Sequence, residues 1–245
     1  MKKYLLPAFC VASLVFSMNA FAAATKDTAD NQLTKAEKKD GWQLLFNGKT
    51  TDGWKTYKNE EGSTWSVEEG NLCSTRPTGD HNPDLLTKAT YENFELQVDW
   101  KLSPEGNSGI LYMVTEDNHA TYESGPEYQL IDDDGFPEKI EDWQKTGADY
   151  AMYVPMVRAI KPPGEWNHAV IIVNKGHVEH WLNGQKVVTY ELWSDDWKQA
   201  KAKGKWKDDA AYGASKSGHI AFQASHSEVE KTGVCFKNVK IKILK

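Results

Sequence analysis

Along most of the chain, apolar residues recur at every second position rather than every third or fourth. Phe94, Leu96, Val98 and Trp100 alternate with Glu95, Gln97 and Asp99, the pattern of a strand with one buried face. Ile220 and Phe222 alternate with Ala221 and Gln223. Val239, Ile241 and Ile243 alternate with lysines, which predicts a closing strand whose lysines guard a sheet edge. Ala169 to Val173 is a continuous, β-branched apolar run. Val178 to Leu182 leads into Asn183-Gly184, a pair that accepts the positive φ of a two-residue hairpin, and Gln185 to Tyr190 returns. From Glu127 to Leu130, a two-residue period puts Glu127 and Gln129 on one face and Tyr128 and Leu130 on the other. That arrangement suits the floor of a groove, or equally a solvated sheet face. One helix is predicted from Ser194 to Ala202, with Ser194 as N-cap, Asp195 and Asp196 in the first turn and lysines later. It reads first as a surface excursion and second as a lid. Many short strands separated by Gly, Pro and Asn turns predict an all-β sandwich or jelly roll of two antiparallel sheets, with this helical excursion.

The N-terminus departs from that pattern. Lys2 and Lys3 precede an apolar stretch from Leu5 to Val15, and Ala20-Phe21-Ala22 supplies small residues for cleavage. Residues 1–22 therefore read as a secretory leader, too short and too quickly polar for a membrane span. Export to the periplasm or beyond follows as the expectation. Residues 23–40 read as a polar tether with little to bury, and residues 41–245 as one large β-domain. The net charge is -6, and the leader contributes two lysines and no acids, so the remainder is more negative still. Such a balance argues against nucleic acid, whose binding rests on neutralising phosphates. Two cysteines follow the leader, Cys73 and Cys235. They are read first as small buried apolar residues, and second as a disulfide from an early strand to the last.

Ten tryptophans and ten tyrosines suit a β-core, and their faces also suit the apolar faces of sugar rings. Trp42, Trp54, Trp65, Trp100 and Trp166 read as mostly structural. The segment Glu127-x-Gln129-x-x-Asp132 superficially resembles the E-x-D-x-x-E strand of laminarinase-type glycosidases, where two glutamates flank the glycosidic bond. Here the central residue is an amide and the last carboxylate is shorter, which weakens a retaining-hydrolase reading. Asp132, Asp133 and Asp134 before Gly135 offer oxygens to calcium, although a solvated acidic turn is the simpler reading. No Cys/His set has zinc spacing, and no nucleophile elbow, phosphate loop or dinucleotide fingerprint occurs. The seven histidines are scattered. His226, just beyond a strand end, stands out because such loops carry function.

Six segments in order resemble the 3-keto-disaccharide hydrolase domain family. They are GWQLLFNGKTTDGWKTY (41–57), LLTKATYENFELQVDWKLSPEGNSGILYMV (85–114), YESGPEYQLIDDD (122–134), TGADY (146–150), KPPGEWNHAVIIVNKGHVEHWLNGQKVV (161–188) and SGHIAFQ (217–223). The resemblance implies a concanavalin-like or laminarinase-like jelly roll and an exported enzyme acting on glycosides already oxidised to a ketone at ring carbon 3. A ketone there acidifies the hydrogen on carbon 2, so a base can remove it, the group on carbon 1 can leave, and water can add back. Under that reading Glu127 is the base and Asp132 or His226 assists the leaving group. Asn107 and Gln129 orient hydroxyls or stabilise the enolate, and Ser108, Tyr112, Tyr150, His180 and Gln223 complete the substrate contacts. A divalent cation is a further candidate for enolate stabilisation. One departure stands out. Family members commonly read LQDHG and then FRN, whereas this chain reads FQASHSEVEKTGVCFKN from Phe222 to Asn238. Gln223 is retained, the aspartate is absent, and His226 is displaced by one position. A non-catalytic carbohydrate-binding module and a conventional retaining glycosidase remain the competing readings.

Overall fold

The computed structural model describes residues 29–75, 82–225 and 233–245. The leader, residues 23–28 and His226 lie outside the described residues. Thirteen strands among them form two antiparallel sheets. The larger sheet runs in the order β11 (Gln185–Glu191), β10 (His177–Leu182), β9 (Asn167–Asn174), β6 (Phe94–Leu102), β13 (Gly233–Ile243), β4 (Asn71–Thr75) and β3 (Trp65–Glu68), with β1 (Trp42–Leu44) also paired to β13. The smaller runs β2 (Trp54–Thr56), β5 (Leu85–Thr87), β12 (His219–Phe222), β7 (Asn107–Val114) and β8 (Glu127–Ile131). Inner faces pack together, as in a sandwich. β6 alternates strictly, with Phe94, Leu96, Val98, Trp100 and Leu102 buried. Facing residues include Ile110, Tyr128, Leu130 and Phe222, and Phe222 stacks on Phe236 with ring centres 4.1 Å apart. Each such large side chain contributes roughly 1.5–3 kcal/mol by leaving water.

Local chemistry sets the turns as expected. Asn183 (φ 49°) and Gly184 (φ 83°) both take the left-handed region between β10 and β11. Helix α2 spans Asp195–Lys203, and Ser194 accepts a hydrogen bond from the Trp197 amide as its N-cap. Trp197 is buried, so this is a packed excursion rather than a loose one.

Three expectations change. β13 is central, not an edge, and its lysines serve another purpose. Lys237, Lys240 and Lys242 pair with Asp30, Glu37 and Asp40, acids of the segment expected to be a tether. The described part of that segment is folded onto the sheet. Asn31 exchanges hydrogen bonds with Asn238 (2.6 and 2.8 Å), and helix α1 (Lys35–Lys39) is closed by a capping box at Thr34. Finally, Cys73 and Cys235 face each other in register between β4 and β13 and form a disulfide, against the reading as free buried residues. The cross-strand neighbour distance, Cα–Cα 4.1 Å, brings the two sulfurs together.

Candidate active site

The smaller sheet is buried on both faces. Its inner face belongs to the core, while its outer face carries a second apolar cluster of Tyr57, Leu86, Leu111, Val114 and Ala221. This explains why β8 shows no solvated side: all five residues are buried. The outer face of β8 presents Glu127 and Gln129, paired across to Leu111 and Gly109. Glu127 is 5 % exposed and Gln129 also buried.

A glycine decides where the Glu127 carboxyl goes. A Cβ added at Gly109 would lie 2.2 Å from Glu127 Oε1, so the side chain lies across the space that any other residue would fill. Beyond Gly109 comes Gln223, whose amide donates to Gly109 O (2.9 Å) and whose own Oε1 is buried without a hydrogen-bond partner. Next in line is Asp84, at the start of β5. It accepts hydrogen bonds from the Ala224 amide (2.9 Å) and from the Thr121 hydroxyl. A row of polar groups thus crosses four strands over an otherwise apolar floor. Tyr150 closes one end: its amide donates to Glu127 O (3.0 Å), extending β8 by a short edge segment.

Electrostatics follow from this burial. The Glu127 carboxyl is pushed up to about 8, first by desolvation and then by the charges of Asp84 and Asp149, with Lys205 pulling the other way. Desolvation also raises Asp84 to about 6, against its hydrogen bonds from Thr121 and Ala224. Tyr150 is raised by burial and by the Glu127 charge. Two coupled carboxyl groups held apart in acidity are the pattern expected where proton transfer occurs. Asp84 carries no periodic or motif signal. It sits between Pro83 and Leu85, and only its position at the strand start, opposite a hydroxyl across the chain, reveals it.

The remaining sequence candidates divide. Asn107, Gln129, Tyr150 and Gln223 join Glu127 on or beside the outer face. Ser108 does not. It pairs with Leu130 on the opposite face and donates to Gln223 O (2.7 Å), which makes it a strut under the site. Tyr112 and His180 are buried between the sheets. The Tyr112 hydroxyl meets His180 Nε2 (3.0 Å) and the Tyr190 hydroxyl (2.5 Å), while His180 Nδ1 meets Gly147 O (3.0 Å). Desolvation pushes His180 down to about 4, so it is a neutral core histidine rather than a substrate contact. Asp132 lies five residues along from Glu127, roughly 16 Å at the rise of an extended strand. Its oxygens accept the amides of Glu105 (2.9 Å) and Gly135 (3.0 Å), so it shapes a turn instead of serving a leaving group. Asp133 accepts the Thr146 amide, and Asp134 pairs with Arg158. Among the described residues, no three His, Cys, Asp or Glu side chains are grouped as metal ligands. No described helix is long and apolar enough to cross a membrane.

Around the row stand aromatic side chains. Tyr122 and Trp143 are exposed, Tyr150 is half-buried and Trp206 is buried. Trp206 Nε1 donates to Tyr150 O (3.0 Å), and its ring stacks on Tyr212 at 4.5 Å. These surfaces border the polar row and suit the apolar faces of sugar rings.

Known proteins match the whole domain. The family model of the 3-keto-alpha-glucoside-1,2-lyase-like domain matches residues 41–242. A 3-keto-disaccharide hydrolase of Bacteroides thetaiotaomicron is 32% identical over 234 residues, covering 84% of this chain and 79% of that protein. A crystal structure of a candidate glycosyl hydrolase from Parabacteroides distasonis superposes with a TM-score of 0.81 at 45% identity, covering 89% of this chain and 100% of the other. A second such protein from the same organism gives 0.65 at 26% identity, over 83% and 99%. The fold, the domain match and the curated relative agree: this chain belongs to the 3-keto-alpha-glucoside-1,2-lyase-like family, as a carbohydrate-active enzyme of glycoside-hydrolase type.

Proposed function

We propose that the enzyme cleaves the glycosidic bond of 3-keto-glycosides by elimination and hydration, with Glu127 as the base. The observation that carries this reading is the buried Glu127 carboxyl lying over Gly109, raised to about 8. A carbon acid next to a ketone calls for a base far stronger than an ordinary carboxylate, and burial supplies that basicity near the working pH. The ionised carboxylate removes the carbon 2 proton, and the C–H electron pair becomes the double bond of an enolate with its charge on the carbon 3 oxygen. That charge then restores the ketone as a carbon 1–carbon 2 double bond forms and the carbon 1–oxygen bond breaks. Glu127, now protonated, is the proton source for the departing oxygen, since Asp132 is too distant. Water adds at carbon 1 and a proton returns to carbon 2, so the sum is hydrolysis.

Gln223, Gln129 and Asn107 lie where sugar hydroxyls would meet the row, and the buried Gln223 Oε1 has no hydrogen-bond partner among the described residues. The test is incubation with matched oxidised and unoxidised disaccharides, with and without a chelator. Glu127→Gln should abolish turnover of the oxidised sugar alone; retained activity would remove Glu127 from the role. We further propose that residues 1–22 direct export. Mass measurement of the mature N-terminus in a periplasmic fraction tests this, and an intact leader would refute it.

A further inference from the structure

We propose that Lys205 is the cation that neutralises the negative charge formed on the carbon 3 oxygen, a step that rests on the Glu127 reading above. Lys205 follows α2 and Gly204 on the excursion between β11 and β12. Its ammonium lies 4.6 Å from the ring centres of both Tyr150 and Trp206, and 6.0 Å from Tyr122. This position is fixed from two sides. Trp206 is buried, stacked on Tyr212 and hydrogen-bonded to Tyr150 O, while Tyr150 is hydrogen-bonded through its amide to Glu127 O. The rings carry the ammonium of this exposed lysine on the Tyr150 side of Glu127 without consuming its charge. Lys198 and Lys207 on the same excursion pair with Asp195 and Asp208. Lys205 pairs with no described carboxylate and rests on rings instead.

The charged groups around Glu127 come from three directions: Asp84 from β5, Asp149 from the edge segment beside β8, and Lys205 from the excursion. Lys205 alone is positive. Desolvation lowers its pKa, and the charges of Glu127 and Asp209 oppose that effect. When the carbon 2 proton moves to Glu127, the negative charge leaves the carboxylate and appears on the sugar oxygen. An ammonium resting on these rings at the rim of the site can answer that transfer, and so favours the transition state over the bound substrate. Sequence reading offers no hint of it, because one lysine among many on a polar helical excursion carries no pattern.

The experiment compares wild type, Lys205→Met, Lys205→Arg and Glu127→Gln on a 3-keto-disaccharide across pH, with circular dichroism confirming the fold. Lys205→Met should lower kcat/KM by about 10²–10³-fold, mainly through kcat, and move the rising limb of the profile to higher pH because the group that lowers the Glu127 pKa is gone. Lys205→Arg should restore part of the rate. An unchanged rate and limb in Lys205→Met, beside an inactive Glu127→Gln, would overturn the role of Lys205 and leave Glu127 as base. A loss confined to KM with an unmoved limb would also overturn it, reducing Lys205 to a binding contact. Full activity in Glu127→Gln would remove the parent reading and this one together.

Discussion

Removing the Glu127 charge should stabilise the fold at high pH while destroying activity. In the unfolded chain this carboxyl titrates near its ordinary value of 4.5; in the folded site it titrates at about 8. At 1.36 kcal/mol per unit, the difference amounts to about 5 kcal/mol of folding free energy. The sign follows from proton uptake. The folded state holds the proton more tightly, so the stability tied to Glu127 is fully present below pH 4.5 and is lost as pH rises to about 8. Above that, the folded protein keeps a buried anion beside Asp84 and Asp149. Glutamine occupies the same space without a charge and escapes that cost. Urea unfolding of wild type and Glu127→Gln at pH 5 and pH 9 measures the effect. The variant should gain several kcal/mol relative to wild type at pH 9 and little at pH 5. Equal differences at both values would mean that the carboxyl is not held in a desolvated site, and the basis for its basicity would fall with it.

Other consequences are simpler to check. Gly109→Ala should fold, since Gly109 does not need a left-handed φ, but the added carbon must evict the carboxyl; a loss of about 10²-fold in kcat/KM is expected, as for a displaced catalytic group, and a wild-type rate would show that the carboxyl position is unimportant. Asp84→Asn removes a charge that raises the Glu127 pKa, so the rising limb of the pH–rate profile should move to lower pH; an unmoved limb would uncouple the two groups. The paired change of Cys73 and Cys235 to serine opens a loop with a sequence separation of 162 and should cost about 2–5 kcal/mol in denaturant unfolding. No loss there would mean that the bond contributes nothing beyond the strand pairing it spans.

How far the sequence was legible depended on whether the signal was local. β6, the hairpin at Asn183-Gly184 and the Ser194 cap were all read correctly, because alternation, turn chemistry and capping are decided within a few residues. β7 was not fully readable. Asn107 to Val114 is apolar almost throughout, so period-2 reasoning could not say which face Ser108 and Tyr112 occupy, and both belong to the interior. His180 is a different case: alternation puts it on the apolar face with Val178 and Leu182, opposite His177, Glu179 and Trp181, so its burial was legible, and the facing Tyr112 and Gly147 supply the partners that sequence does not show. The neighbouring carboxylates Asp132 and Glu127 are close in number yet far apart along an extended strand, whereas Asp84, 43 positions earlier by the numbering, acts on Glu127 directly. Strand order is non-local too, which is why a lysine-lined strand looked like an edge and proved to be central.

That central placement has a consequence for how the polypeptide acquires its shape. Before residues 233–243 arrive, β11-β10-β9-β6 and β4-β3 are separate ribbons, and β1 has no neighbour among the described strands. β13, the last of the described strands in chain order, is the keystone joining them. Contacts of such long sequence separation form slowly. A nascent or clipped chain that lacks residues 233–243 therefore cannot close its larger sheet, and assembly must wait until they are present.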